Sequence, residues 1–161
     1  MSSQVLSEQL SVVSVDVFIG LLRGHAATTR TLSADLVAEH GLTINDYEAL
    51  LRLSRAEDGH MKRVELADSL LLTPSGVTRL LDGLERAGYV EKGSCATDAR
   101  VTYAVLTDTG REKLDEASCS HIAAIRALFE ERFNASELST LAELLSRLPG
   151  ASGADGADCA P

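Results

Sequence analysis

In the stretch TPSGVTR, the hydroxyls of Thr73, Ser75 and Thr78 and the guanidinium of Arg79 stand within about two helical turns of one another. Thr73 is a good N-cap, and Pro74 occupies the first helical position, where its missing N–H costs nothing. A helix start built from small polar residues, with Gly76 among them, allows close approach to another surface. Its hydroxyls, its free N–H groups and the positive end of its dipole all suit phosphate oxygens. Arg79, on the polar side, is long enough for a guanine edge or a phosphate. This is recognition chemistry rather than catalysis. The chain has no G-x-S-x-G, no P-loop and no G-x-G-x-x-G. His25, His40, His60 and His121 form no catalytic arrangement, so the reading is not an enzyme.

The elements around that stretch explain its placement. Val77, Leu80, Leu81 and Leu84 form one apolar stripe, and Gly88 ends the helix. The preceding segment KRVELADSLLL carries Val64, Ala67, Leu70 and Leu71 at helical spacing. A short helix, a tight turn and a second helix make a helix-turn-helix, in which the second helix enters the major groove by its N-terminal residues. YVEK and VTYAVL then read as a β-hairpin with a long tip, GSCATDAR. Arg100 in the tip suits the narrow minor groove. Upstream, residues 7–40 read as a helix with Leu10, Val13, Val17, Leu21 and Leu22 in register. The weaker stretch 28–33 is a place to kink or split it. Gly41 stops it, and Thr43 opens a second helix with Tyr47, Leu50, Leu51 and Leu53 as its apolar face. Thr107 caps a long helix to about residue 132, and a last one runs from about 136 to 148.

Composition sets the class. The chain has 161 residues, no Trp and an apolar content rich in Leu, Ala and Val, which favours helices over a β-sandwich. A net charge of −9 argues against a nucleic-acid partner until its distribution is examined. Residues 60–113 hold eight Lys/Arg against eight Asp/Glu, so the excess acid lies wholly outside the helix-turn-helix and hairpin. Cys95, Cys119 and Cys159 are scattered, as suits a reducing compartment. MSSQVLSEQL has no basic n-region, and VVSVDVFIGLL is too short for a bilayer and contains Asp16. The expectation is a soluble cytoplasmic protein with no cofactor.

LTINDYEALLRL, VELADSLLLTPSGVTRLLDGLERAGYVEKG and ATDARVTYAVLTDTG resemble the MarR family of winged-helix transcriptional regulators, over about residues 18–148. The most specific parts are VTRLLDGLERAGYVEK and the D-x-R…LT-x-x-G wing signature. The resemblance implies an obligate homodimer on palindromic operator DNA, usually a repressor released by a small ligand or by oxidation. It places Thr73, Ser75, Gly76, Thr78 and Arg79 on the recognition helix. It makes Asp98 the brace of Arg100 in the wing. Many relatives have a second Arg between these two; here it is Ala99, so one DNA contact is missing.

The expected fold is therefore mainly α with a small β-hairpin wing: a winged helix-turn-helix domain plus a helical dimerisation region. Residues 1–42 form an N-terminal dimerisation helix, 43–106 the DNA-binding region, 107–148 the C-terminal dimerisation helices and 149–161 a disordered tail. The first and last helices carry more apolar surface than one winged domain hides, which marks a two-fold interface. An effector is expected in the crevice between the lobes, near Phe18, Leu22 and Tyr47. Glu39, His40 and His121 are metal-ligand types without a compact H-x₃-H spacing, so no metal is assigned. Alternative readings are a winged-helix protein-interaction module without DNA binding, or a regulator sensing zinc or oxidation through Cys95.

Overall fold

The computed structural model describes residues 3–70, 72–94 and 102–149. Their order is α1 (Ser3–His40), α2 (Ile44–Arg55), a 3-10 turn (Glu57–Gly59), β1 (His60–Lys62), α3 (Arg63–Ser69), α4 (Pro74–Arg86), β2 (Val90–Ser94), β3 (Thr102–Leu106), α5 (Asp108–Glu130) and α6 (Ala135–Ser146). The chain is mostly helical with a small antiparallel sheet, as the sequence predicts.

α1 is unbroken through the stretch where a kink was expected. Thr28 Oγ1 donates back to the Gly24 carbonyl at 2.9 Å, so its hydroxyl is satisfied inside the helix rather than competing with it. At 38 residues α1 is about 57 Å long. Gly41 ends it at φ 69°, a conformation that favours glycine. There the Gly41 N–H reaches the Val37 carbonyl and the Leu42 N–H that of Leu36. Thr43 then caps α2 in a reciprocal box: its hydroxyl accepts from the Asp46 N–H, and Asp46 accepts from the Thr43 N–H.

One core holds the winged unit. Leu36, Leu50, Leu53, Leu66 and Leu81 are its largest fully buried side chains and come from α1, α2, α3 and α4. Leu114 and Ala117 of α5 join the same cluster. The last turns of α1 and the first turns of α5 are thus part of the winged unit's packing, across the boundaries expected at 42/43 and 106/107.

The sheet has three strands in the order β1-β3-β2, all antiparallel. The sequence reading contained only the hairpin. β1 is three residues long, too short for alternation to show. Asp58 at φ 54° and Gly59 at φ 69° turn the chain from α2 into it.

Away from this core α1 is bare. Val13, Val17, Phe18 and Leu22 are exposed, and α6 buries no residue. Among the described residues no helix is long and apolar enough to cross a membrane. The tail, residues 150–161, lies outside the described residues.

Candidate nucleic-acid interface

Thr73 caps α4 as its sequence position predicts, its Oγ1 accepting from the Gly76 N–H at 3.1 Å. Ser75, Thr78 and Arg79 are exposed, and Gly76 is half-buried. A Cβ on Gly76 would stand 3.2 Å from Thr73 Oγ1, so the glycine leaves room for the cap. The hydroxyls are partly committed. Thr78 Oγ1 donates to the Pro74 carbonyl at 2.9 Å, and Ser75 Oγ lies 3.2 Å from Thr73 Oγ1. Thr78 therefore offers an outside partner its oxygen lone pairs, and its proton only after releasing Pro74. The face still presents hydroxyls and a guanidinium around one helix end.

The opposite face of α4 is anchored by Val77, Leu81 and Leu84, all buried. Gly88, at φ 78°, ends the helix and lets the Tyr89 N–H reach back to the Leu84 carbonyl at 2.9 Å. Lys92 on β2 pairs with Glu85 on α4 at 3.0 Å, tying the wing strand to α4.

The structure adds a latch at Thr107 that sequence reasoning read only as a helix cap. Its N–H donates to the Tyr89 carbonyl at 3.1 Å, its hydroxyl donates to the Gly88 carbonyl at 2.7 Å, and the same oxygen accepts from Gly110 N–H. One residue, by its backbone N–H and its side chain, thereby joins the end of α4, the wing and the start of α5. The LT-x-x-G pattern is the sequence trace of that junction. The wing tip, residues 95–101, lies outside the described residues, and with it Cys95, Asp98, Ala99 and Arg100.

The expected effector residues do not converge within one chain. Tyr47 is 5% exposed and belongs to the winged core. Phe18 and Leu22 stand open on α1, about 27 and 21 Å along the helix from Leu36, which shares the core of Tyr47. The largest cavity among those described is elsewhere: an apolar groove of about 730 Å³ between α1, α5 and α6. Val17, Leu21, Leu128, Phe129 and Leu145 line it, with His25 and Arg132 among its polar atoms.

Where α1, α2 and α5 meet, His121 is buried at 6% exposure with its ring edge-on to Tyr47, centroids 4.5 Å apart. Ser118 donates to the Leu114 carbonyl, so the Tyr47 hydroxyl donates to Ser118 Oγ at 3.2 Å. His40 Nε2 lies 2.7 Å from Ser120 Oγ, and Glu39 and Glu116 carboxylates lie 3.6 and 3.7 Å from its ring nitrogens. Glu39, His40 and His121 thus line one small cavity of about 40 Å³. Among the described residues no three His, Cys, Asp or Glu groups are arranged to hold a metal ion.

Burial, and secondarily the His40 ring, hold the His121 imidazole below its ordinary pKa. The unfolded chain takes up that proton near the ordinary histidine value of about 6.5, and the folded chain only at lower pH. Stability is therefore full above that value and falls as pH drops below it. Melting curves from pH 7.5 to 5 are expected to show a declining midpoint, with the decline reduced in His121→Leu. An unchanged slope in that variant assigns the acid sensitivity elsewhere.

The geometry is a winged helix-turn-helix joined to long, apolar outer helices, and known proteins share it. The description "MarR family" matches residues 40–101. The HTH-type transcriptional repressor YetL of Bacillus subtilis is 32% identical over 93 residues, 58% of this chain and 56% of its own length. The chain thus spans little more than half of that repressor. Among solved structures, AbsC, a MarR family transcriptional regulator from Streptomyces coelicolor, superposes with a TM-score of 0.68 at 30% identity, over 78% of this chain and 86% of AbsC. Sco3205, a MarR family regulator from the same organism solved in complex with DNA, gives a TM-score of 0.74 at 25% identity, over 80% of each chain. The matched stretch 40–101 holds α2, β1, α3, α4 and β2, and by this shared architecture and sequence the chain belongs to the MarR family of transcriptional regulators.

Proposed function

We propose that this regulator works in the cytoplasm as a homodimer. It binds a pseudo-palindromic duplex through α4 and the wing, represses nearby genes, and releases the DNA when a small ligand binds. The observation that carries the DNA contact is the exposed first turn of α4, where Ser75, Thr78 and Arg79 surround a helix N-terminus and Arg79 has no carboxylate partner among the described residues. The groove between α1, α5 and α6 and the bare stripe on α1 support the dimer. A two-fold pair would present its two recognition helices about 34 Å apart, one DNA turn. Asp98 and Arg100 serve as the wing contact, and repression follows the name of the Bacillus relative. The effector acts by preferring one spacing of the lobes over another. Phe18 and Leu22 on α1 and Tyr47 on α2 remain the residues proposed to sense it, through a crevice completed by the second chain.

Fluorescence anisotropy on the protein's own upstream duplex, across a salt series and beside a scrambled duplex, tests this. Tight binding to the native duplex alone, falling steeply with salt, is the expected result. Arg79→Ala should weaken it about ten- to a hundredfold and relax base preference, whereas Arg100→Ala should weaken it more evenly across sequences. Equal affinity of both variants and wild type removes these residues from the interface. Weak binding to both duplexes favours a protein-interaction module.

A further inference from the structure

Arg63 opens α3 and is half-buried. Its Nη2 is buried with no hydrogen-bond acceptor among the described residues. Other cations of the winged unit have partners: Arg52 with Glu48 at 3.0 Å, Lys62 with Glu65 at 3.1 Å, Lys92 with Glu85 at 3.0 Å. Asp68 lines the same cleft as Arg63, yet no ion pair joins them among the described residues. An unpaired, partly buried guanidinium is costly unless something else supplies oxygen atoms.

The surroundings indicate what that is. The cleft has a volume of about 270 Å³ and is bounded by Arg63, Val64 and Ala67 of α3 and by Pro74, Val77 and Thr78 of α4. Pro74 and Thr78 belong to the turn that points at DNA in the proposed function. Val64 beside it is 72% exposed, so this edge of α3 lies on the open surface of the helix-turn-helix. In this motif the first helix crosses the DNA backbone while the second lies in the groove. A guanidinium at the start of the first helix, next to the first turn of the second, stands where a phosphate flanking the groove passes. Swung out of the cleft, where Nη2 lacks an acceptor among the described residues, its planar fork matches two phosphate oxygens.

We infer that Arg63 is a DNA-backbone clamp, gripping a phosphate beside the bases read by α4 and fixing how far that helix enters the groove. This rests on the DNA-binding reading above and adds a contact that carries no base preference of its own.

The test is a salt series with the full-length protein on native and scrambled duplexes. Arg63→Gln should lower affinity for both by the same factor, roughly tenfold, with the ratio between duplexes unchanged. For a dimer with two clamps, the plot of log affinity against log salt should become shallower by about 1.8. Arg63→Lys, which keeps the charge, should retain the wild-type slope. Arg63→Met keeps an apolar stem in the cleft, and should reproduce the shallower slope if the glutamine variant folds poorly. A wild-type slope in both neutral variants, with only the melting midpoint lowered, assigns Arg63 to packing and overturns the clamp. Absence of salt-dependent DNA binding in the wild type overturns the DNA-binding reading itself, and the clamp with it.

Discussion

Gly110→Ala should lower stability by about 3 kcal/mol, the upper end of what overpacking costs. A Cβ at this position would lie 2.1 Å from the Tyr89 carbonyl oxygen and 2.9 Å from Leu106 Cδ1. The first of these is backbone, held in place because the same oxygen accepts the Thr107 N–H. Relief requires α5 to back away from the wing, which strains the Thr107 contacts to Gly88 and Gly110. For a chain of 161 residues this corresponds to a fall of about 10 °C in the melting midpoint. Gly83→Ala is the control. It sits inside α4, nothing lies within 4 Å of its added Cβ, and helix propensity alone should stabilise it by about 0.5–1 kcal/mol. Thermal melts of the pair decide the matter, and a Gly110→Ala midpoint equal to wild type would show that the junction yields freely. The same junction sets the wing against α4, so DNA affinity should fall with stability.

Leu21→Asp should turn the proposed dimer into monomers while leaving each chain folded. Leu21 is 40% exposed in the single chain and lines the apolar groove, so a carboxylate there costs the isolated fold little. In a two-fold pair the same patch is used twice, and each copy would bury an unpaired charge at a cost of about 3–5 kcal/mol. Sedimentation at micromolar concentration should give the monomer mass with unchanged helix content by circular dichroism. DNA affinity should drop by about two orders of magnitude or more, because the second half-site is no longer tethered to the first. A dimer of unchanged mass would move the interface off this groove.

Much of this architecture is written locally. Thr73 and Pro74 start α4 and Gly41 ends α1, because capping hydroxyls, a fixed proline φ and a left-handed glycine act within a few residues. The stripe Val77, Leu81, Leu84 states which side of α4 is inward, and thus which side carries Ser75, Thr78 and Arg79. The family signature VTRLLDGLERAGYVEK adds the wing and the function class. Other features are illegible in one dimension. β1 is too short for periodicity, and it exists because β3 offers it an edge. Thr28 looks like a helix breaker until its hydroxyl is seen bonded to Gly24.

By itself the sequence determined the helical class, the order of the helices and the caps at Thr43, Thr73 and Thr107, since each follows from propensities and spacings within a turn or two. Only the tertiary structure decided that the end of α1 and the start of α5 complete the winged core. The same holds for the separation of Tyr47 from Phe18 and Leu22, the close approach of Gly110 to Tyr89, and the lack of an acceptor for Arg63 Nη2 among the described residues. Those facts depend on atoms far apart in the chain, and packing rather than local preference fixes their distances.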